Sequence, residues 1–296
     1  MSAAFSAPAL ACRSVSFRYP EGSQALVDID LAVAPGEFVA LLAANGSGKT
    51  TLIKVLAGLL APTAGTVRID GSDIRQMPAK ALYRRVGLLV QNPKDQLFGA
   101  TVAEDVAFGP RNLGLDEAQV QERVAAALAA VGAAHLRERA IHHLSFGEQK
   151  RAALAGVLAM QPAILLLDEP TAGMDPAGET RMIDFLYRLN REHGLTVIFA
   201  THSVDMLPLI AHRICVLEHG RVIQCDAPRA VFQAPDILAR AGLRLPYISV
   251  LFDEMHRHDG FCLDRLPLTV REARQALLDL LAGPSDPSAA AAVRHG

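Results

Sequence analysis

The sequence lacks several features that would place it in a common class of protein. It has no tryptophan, aromatic residues make up only 5%, and acidic and basic side chains nearly cancel, leaving a net charge of −2. Without a basic excess, the composition does not favour nucleic-acid binding. The longest apolar runs, at residues 38–44, 152–160 and 163–167, are far shorter than the ~20 residues that cross a bilayer as a helix.

Cysteine is also scarce. The four cysteines are scattered without the paired spacing of a disulfide framework or a zinc site, and no charged-then-apolar signal opens the chain. We therefore expect a reduced, cytosolic protein with packed thiols. A mean hydropathy of +0.23 without a spanning segment suits a protein that docks on a partner.

Strand and helix patterns alternate along most of the chain. The predicted strands are residues 12–17, a pair ending at Val33, 38–42, 66–69, 86–90, 164–167, 197–200 and 214–217. Helical spacing of apolar residues predicts helices at residues 51–60 and through residues 101–160. This order predicts an α/β fold with a mostly parallel sheet covered on both faces and a helical lobe inserted into it.

A glycine-rich segment follows the predicted strand at residues 38–42 and precedes a helix, which is the context of a phosphate-binding loop. It reads Ala43-Ala44-Asn45-Gly46-Ser47-Gly48-Lys49-Thr50-Thr51. Backbone N–H groups of such a loop surround the β-phosphate. Lys49 would reach the β- and γ-phosphate oxygens, and the Thr50 hydroxyl would coordinate Mg²⁺. Ala43 stands where the general pattern has glycine, which we interpret as a tolerated variant; a glycine-rich turn that binds no nucleotide is the alternative.

Two acidic residues, Asp168 and Glu169, end the apolar run at residues 164–167. Ligands of such sheets bind at the carboxyl ends of the strands. Asp168 is therefore predicted to hold Mg²⁺, directly or through water, and Glu169 to polarise the attacking water as general base. A solvated strand end is the alternative interpretation.

With these residues in place, the chain resembles the ATP-binding-cassette (ABC) ATPases over about residues 10–232. The resemblance rests on the following segments in register: Tyr19, the loop at residues 43–51, Gln91, Leu144-Ser145-Phe146-Gly147-Glu148-Gln149, Asp168-Glu169, residues 171–176, and His202. It implies a P-loop NTPase fold with a RecA-like core, an antiparallel β subdomain, an inserted helical lobe at about residues 92–160 and a C-terminal helical extension. It also implies hydrolysis of ATP with Mg²⁺.

The same resemblance implies roles for individual residues. Tyr19 would stack on adenine, Gln91 would sense Mg²⁺ and the γ-phosphate, and His202 would contact the γ-phosphate. Two ATPase subunits would enclose ATP head to tail, so a second group of residues would act on the nucleotide of the opposite subunit: Ser145, Phe146, Gly147, Glu148 and Asp175. Phe146 occupies a position that is usually glycine, so its side chain must point away from the nucleotide. Ser145 and Glu148 also form a capping-box pattern at a helix start.

Residues 91–98, 101–110, 112–114 and 155–160 are similar to the ATPase subunits of energy-coupling-factor importers, which take up cobalt, nickel or vitamins. The resemblance implies a peripheral location at the cytoplasmic face of the inner membrane, with an integral coupling subunit, a substrate-binding membrane subunit and a second ATPase subunit, most simply an identical one. Leu97 and Phe98 are candidates for the coupling surface, and core packing is their alternative. Overall resemblance favours cobalt first and nickel second, with vitamins as the further alternative.

The last 60 residues carry fewer signals. Residues 235–282 are interpreted as a C-terminal helical extension that contributes to dimerisation, with a helix after the capping-box pattern Thr269 to Glu272, and residues 283–296 as a disordered tail. His256, His258, Asp259 and Cys262 have metal-ligand types but fit no strong template, so a helix end at the surface is preferred. Regulatory and ribosome-associated ABC ATPases are the alternative class; a single cassette and the net charge argue against the ribosomal factor, and Glu169 with His202 argues for hydrolysis.

Overall fold

A computed structural model of the chain describes residues 7–260 and 265–282. Its centre is a six-stranded sheet of order β10-β9-β3-β8-β7-β6. The strands are β3 (Phe38–Leu42), β6 (Val86–Leu89), β7 (Ile164–Asp168), β8 (Thr196–Thr201), β9 (Arg213–Glu218) and β10 (Arg221–Asp226). Strands β3 and β6 to β9 are parallel, and β10 is antiparallel to β9. The predicted α/β fold is confirmed.

The central strands are buried on both faces. Every residue of β3, β7 and β8 is buried, as expected for parallel strands that helices cover on each side. The flanking helices are α1 (Lys49–Leu56), α2 (Ala79–Arg85), α6 (Pro176–His193) and α7 (Leu207–Ile210). Because β3 and β7 are neighbours of β8 in the sheet, their carboxyl ends bring residues 43–51 and 168–169 to one edge.

A second, four-stranded antiparallel sheet of order β2-β1-β4-β5 covers one end of the molecule. It contains β1 (Leu10–Arg18), β2 (Gln24–Val33), β4 (Ala64–Ile69) and β5 (Ser72–Asp73). The predicted pair of strands ending at Val33 is wrong, because one strand spans this segment. Asp28 adopts φ 52° and shifts the register against β1, so it produces a bulge within this single strand.

The helical lobe lies between β6 and β7 and consists of α3 (Val102–Asn112), α4 (Glu117–Ala130) and α5 (Phe146–Ala159). Capping boxes begin all three helices, at Thr101, Asp116 and Ser145. Apolar residues of the lobe, among them Val120, Val124 and Leu128, join the core that also contains β7 and β8. The predicted insertion therefore packs continuously onto the central sheet.

The C-terminal part of the described chain is helical, with α8 (Pro228–Phe232), α9 (Pro235–Arg240), α10 (Tyr247–His258) and α11 (Val270–Ala282). The Thr269 hydroxyl accepts from the Glu272 N–H at 3.2 Å, as predicted, but the Glu272 carboxylate turns back to the Leu268 N–H at 2.9 Å. The predicted disordered tail at residues 283–296 lies outside the described residues.

The structure also places the cysteines and the histidines that the sequence analysis considered. Cys215 and Cys225 face each other across β9 and β10 with their sulfur atoms in contact, whereas Cys12 is free and buried. His258 pairs with Glu254 at the end of α10, while Cys262 lies outside the described residues. Within residues 7–260 and 265–282, no cluster of three or more histidine, cysteine, aspartate or glutamate side chains could hold a metal ion.

Candidate functional site

A cavity of about 490 Å³ opens where β3 and β7 end. Most of the predicted nucleotide-binding residues line it: Tyr19, Asn45, Gly46, Gly48, Lys49, Thr50, Thr51, Gln91 and Glu169. Ser47 belongs to the same loop and is partly exposed. The structure thus brings together residues from both sheets and from the end of β6.

The loop at residues 43–51 needs glycine at specific positions. Gly48 adopts φ 99°, and a Cβ placed there would lie 2.6 Å from the Ala25 carbonyl oxygen. Gly46 adopts φ 79° but has open space around it. Ala43 is absent from the left-handed residues of the described chain, and its N–H donates to the Thr201 carbonyl at 3.2 Å. Alanine at position 43 therefore satisfies the loop geometry without strain.

Lys49 begins α1 and is buried at the floor of the cavity. Its Nζ donates to the carbonyl oxygens of Ala43 at 2.7 Å and Ala44 at 3.1 Å. The Glu169 Oε1 atom lies 3.6 Å from Nζ. Burial lowers the pKa of Lys49, and the neighbouring carboxylates of Glu169 and Asp168 oppose that shift. The loop carbonyls hold the ammonium group at the point where a phosphate would enter.

Asp168 supplies an oxygen that the protein leaves unpaired. Its side chain is buried, and the Oδ1 atom has no hydrogen-bond partner among the described residues. Burial raises the pKa of Asp168, and a hydrogen bond from Thr50 partly offsets the shift. An orphaned buried carboxylate oxygen beside a hydroxyl suits a hard divalent cation, because Mg²⁺ prefers such oxygen ligands. The side chains at positions 50 and 168 therefore fit Mg²⁺.

The carboxylate of Glu169 contacts three polar side chains. His202 Nδ1 donates to its Oε1 at 2.9 Å, and the Thr201 hydroxyl donates to its Oε2 at 3.4 Å. The residue adopts φ 47°, a left-handed conformation that is uncommon for a non-glycine residue. Because Lys49 also lies within 4 Å, the predicted catalytic pair Glu169 and His202 meets the phosphate-binding lysine at one carboxylate.

The predicted adenine-binding residue Tyr19 stands at the opposite rim. Its hydroxyl and that of Thr51 are 3.0 Å apart, and its ring packs edge-on against Phe17 with centroids 4.9 Å apart. Gln91 is exposed at the mouth of the cavity. These contacts fix the aromatic ring beside the loop that would hold the phosphates.

The residues predicted to act on a second subunit's nucleotide do not line this cavity. Ser145 and Glu148 complete the predicted capping box, with distances of 2.7 and 3.3 Å, and Asp175 caps α6 through the Gly178 N–H at 3.2 Å. Phe146 packs on Gly173, where an added Cβ would lie 2.8 Å from its ring. The N–H groups at the start of α5, around Gly147, thus stay uncovered by Phe146.

Sequence reasoning missed three contributors to the site. Thr201 reaches the carboxylate of Glu169, residues 23–25 line the cavity next to Tyr19, and Lys150 is buried against the main chain of Glu169. Lys150 could have been identified from the sequence, because it shares a helical face with the apolar residues Ala153, Leu154 and Val157. A charge on the apolar face of a helix needs a buried partner.

Comparison with known proteins gives a consistent result. Residues 26–172 match the family model described as ABC transporter. The energy-coupling factor transporter ATP-binding protein EcfA of Methanothermobacter thermautotrophicus is 46% identical over 273 residues, which cover 92% of this chain and 87% of the relative.

Two solved structures show the same fold. CbiO1 from Clostridium perfringens, described as part of the ABC transporter complex cbiONQ, has a TM-score of 0.71 and 38% identity, covering 83% of this chain and 99% of its own. An ATP-binding cassette solved as a dimer in a post-hydrolysis state with ADP and phosphate has a TM-score of 0.68 and 26% identity, covering 74% and 99%. These matches confirm the P-loop ABC ATPase fold.

Proposed function

The chain belongs to the ATP-binding subunits of ABC transporters, in the energy-coupling-factor group that hydrolyses ATP, and from that premise we propose that it powers uptake of a transition-metal ion, cobalt before nickel. The support is the similarity of residues 91–114 to that importer group and the structural match to a subunit of the cbiONQ complex. The ATPase does not touch the transported substrate, so a vitamin remains the alternative cargo.

One observation carries the proposed chemistry: Lys49 and His202 converge on the same oxygen of Glu169 at 3.6 and 2.9 Å. In the proposed mechanism, the Glu169 carboxylate takes a proton from the water that attacks the γ-phosphorus as the bond to ADP breaks. The Lys49 ammonium neutralises phosphate charge, and His202, which holds the Glu169 carboxylate, lies where the γ-phosphate would contact it.

Thr50 and Asp168 would hold Mg²⁺, with Gln91 at the mouth of the cavity. The ion would supply charge neutralisation at the β- and γ-phosphates. The chain's own contribution is the unpaired Oδ1 atom of Asp168 and the hydroxyl bonded to the same carboxylate. Tyr19 would stack on the adenine, and the loop at residues 45–51 would bind the phosphates through its N–H groups.

A second copy would complete each ATP site. Ser145, Phe146, Gly147, Glu148 and Asp175 lie apart from the chain's own cavity, yet the start of α5 offers a helix N-terminus whose dipole favours an anion. We assign these residues to the nucleotide of the partner subunit. The dimeric cassette among the solved relatives supports this arrangement, with ATP-driven closure and release by hydrolysis.

The C-terminal helices support dimerisation as well. Leu251 on α10 and Leu277, Leu278 and Leu281 on α11 are exposed, although burial of each would be favourable. We assign these apolar side chains of residues 235–282 to the interface between the two ATPase subunits, and residues 10–232 to the ATPase domain itself.

An apolar groove between the central sheet and the helical lobe offers a surface for the membrane subunits. It encloses about 530 Å³ and is lined by Leu59, Tyr83, Phe98 and Phe108 together with aliphatic parts of α3 and α5. Phe98 is 65% exposed, whereas Leu97 is buried in the core. The two candidates at the coupling surface therefore have different roles, and only Phe98 can contact a helix of the integral coupling subunit.

No helix among the described residues combines the length and apolar character needed to span a bilayer. We therefore propose that the chain attaches peripherally to the cytoplasmic face of the inner membrane through this groove. Its proposed partners are an integral coupling subunit and a substrate-binding membrane subunit, and no nucleic acid is proposed.

Glu169→Gln tests the catalytic assignment. The variant should bind ATP with unchanged affinity, lose steady-state hydrolysis and accumulate an ATP-bound dimer on size exclusion, because the amide cannot take the proton. Glu192→Gln, at an exposed position on α6, is the matched control and should behave as wild type. Turnover at the wild-type rate in Glu169→Gln would remove Glu169 from the base role.

Mass spectrometry of gently solubilised membranes tests the transport assignment. A single ATPase species with a small integral coupling subunit and a membrane protein that binds Co²⁺ or Ni²⁺ would support metal uptake, and uptake of each ion into vesicles would rank the two. A vitamin-binding membrane subunit or a second, different ATPase would reassign the cargo, and absence of any membrane partner would contradict the transport role.

A further inference from the structure

Lys150 is a fully buried charge to which the functions above give no role. Its side chain is 1% exposed on α5, and its Nζ atom donates to the main-chain carbonyl oxygen of Glu169 at 2.7 Å. A lysine is almost never buried without a partner, because burial removes the ammonium group from water. The partner here is the backbone of the proposed general base.

The backbone of Glu169 requires such support. Its φ of 47° places the residue in the left-handed region, which is unfavourable for a side chain with a Cβ and persists only where the surroundings enforce it. On one side, its N–H donates to the Ala200 carbonyl at 2.9 Å. On the other, its carbonyl accepts from Lys150 Nζ at 2.7 Å and from the Ala172 N–H at 3.1 Å. Because φ and ψ set the direction of the Cα–Cβ bond, these contacts together aim the carboxylate at Lys49 and His202, and Lys150 supplies the charged one among them.

The helix that carries Lys150 begins at the proposed contact with the partner's nucleotide. Phe146 lies one turn before Lys150, and its ring centroid is 5.4 Å from the Nζ atom. The same ring packs against Gly173, in the segment that follows Glu169. Phe146, Lys150 and residues 169–173 therefore form one continuous set of contacts within a single subunit.

We propose that Lys150 is a positioning residue that joins the start of α5 to the backbone of Glu169, so that engagement of the partner's nucleotide by one end of α5 sets the carboxylate of this subunit's own ATP site. This inference rests on the proposed role of Glu169 as base. A shift of α5 moves Nζ with it, since the lysine is anchored along its whole length in the core. The two ATP sites of a dimer are then mechanically linked through each subunit.

The charge state of Lys150 agrees with this role. Burial lowers its pKa to about 8, while the negative charges of Glu169 and Asp168 oppose the shift. The group therefore remains mostly protonated at neutral pH, and a charged donor holds a carbonyl more firmly than a neutral one.

Lys150→Met tests the proposal, because methionine fills a similar volume without a donor. We expect kcat to fall about 100-fold, the scale of effect when a reacting group is misplaced by an ångström or so, while the KM and Kd for ATP stay within about twofold of wild type. Arg181→Met removes an exposed cation from α6 and should leave both constants unchanged. An unchanged kcat in Lys150→Met would overturn the proposal, as would equal losses in kcat and ATP affinity.

A double-mutant cycle separates positioning from an independent effect. If Lys150 acts through Glu169, then Lys150→Met should not lower the residual single-turnover rate of Glu169→Gln further, and the ATP-bound dimer of the double variant should form as in Glu169→Gln alone. Additive losses would overturn the proposal. Wild-type turnover in Glu169→Gln alone would instead contradict the proposed base.

Lys150→Arg covers the case in which the methionine variant fails to fold. It keeps a charged donor of similar reach, so it should retain the Tm and recover at least a tenth of the wild-type kcat. A kcat about 100-fold below that of wild type in Lys150→Arg, at an unchanged Tm, would show that a charged donor to the Glu169 carbonyl is not what sustains turnover and would overturn the proposal.

Discussion

The nucleotide cavity and the C-terminal helices are held in place by different kinds of contact. In the cavity, Lys49, Asp168 and Glu169 are buried among fully buried strands. The C-terminal helices also pack into the core, through Phe232 and Leu238. Two ion pairs whose side chains stay about a third exposed add to this packing, Arg244 with Asp205 and Arg229 with Glu272. The cavity walls are thus preorganised within one chain, whereas the C-terminal helices combine apolar packing on the core with polar pairs near the surface.

The exposed surfaces of the two regions also differ in polarity. Around the cavity, polar groups face solvent, while α10 and α11 leave leucines uncovered beside their polar attachments. An apolar face on a helix is normally buried against another element. The comparison indicates that the cavity's own walls are formed within one chain, before any residues of a partner subunit are added, and that the apolar face of the second region is suited to a further protein surface.

The largest effect should come from adding one methyl group to the cavity. Gly48→Ala must adopt a left-handed φ of 99° and place Cβ 2.6 Å from the Ala25 carbonyl oxygen. The φ penalty of about 1–2 kcal/mol and the backbone clash of about 1–3 kcal/mol should lower the free energy of unfolding together. Thermal unfolding and calorimetric ATP titration should show a lower Tm and strongly weakened binding.

Gly46→Ala is the matched control. It carries a similar positive φ of 79° but meets nothing within 4 Å, so it should cost only about 1–2 kcal/mol of stability. Equal losses of stability and ATP affinity in the two variants would show that the close approach of Gly48 to Ala25 does not determine the shape of the cavity. The contrast between the cavity and the C-terminal helices would then weaken.

An intermediate effect is expected where the apolar face of α11 is made polar. Leu277→Ser should weaken the proposed dimer about tenfold or more, since burying a leucine contributes about 1.5–3 kcal/mol. Sedimentation over a concentration series measures the dimer constant. Arg274→Ser, at an exposed site on the same helix, should have little effect, and a larger loss from Arg274→Ser would move the interface to another face.

Much of the cavity could be predicted because its signals are local. Residues 38–42 and 164–167 are unbroken apolar runs, and the structure has β3 and β7 there. The capping pattern from Ser145 to Glu148 involves neighbours along the chain and is present as predicted. Where backbone geometry and burial both follow from a short segment, the sequence is sufficient to place the element.

Features that depend on distant neighbours could not be predicted in this way. Cys215 faces Cys225 only because the turn at His219 and Gly220 pairs β9 with β10 and a register shift between Val222 and Gln224 then places the two cysteines opposite each other. Leu97 and Phe98 are adjacent in sequence, yet one is buried and the other exposed, because a strand or helix period does not apply in an irregular segment. The partner of Lys150 likewise lies on another element.

The smallest effect tests the polar attachment of the C-terminal helices. Arg244 Nη1 donates to Asp205 Oδ1 at 3.2 Å, and the Tyr247 N–H donates to the same oxygen at 2.8 Å. Burial alone would raise the pKa of Asp205, but these hydrogen bonds and the Arg244 charge outweigh it and lower the pKa below 3.8. Asp205→Asn should cost about 1 kcal/mol or less at neutral pH, because the pair is partly exposed and screened by solvent.

The stability that Asp205 contributes should decrease as the pH is lowered. A carboxylate with a lowered folded-state pKa contributes stability that is fully present above the unfolded-state value of 3.8 and is lost as pH falls through the folded-state pKa. Hydrogen exchange of α10 amides should therefore differ between wild type and Asp205→Asn at pH 6 and converge below pH 3.8. Asp253→Asn breaks only a pair with Arg257 inside α10, so it should leave the attachment unchanged. A difference between wild type and Asp205→Asn that persists at the lowest pH would show that packing, rather than this charged pair, holds α10 to the loop after His202.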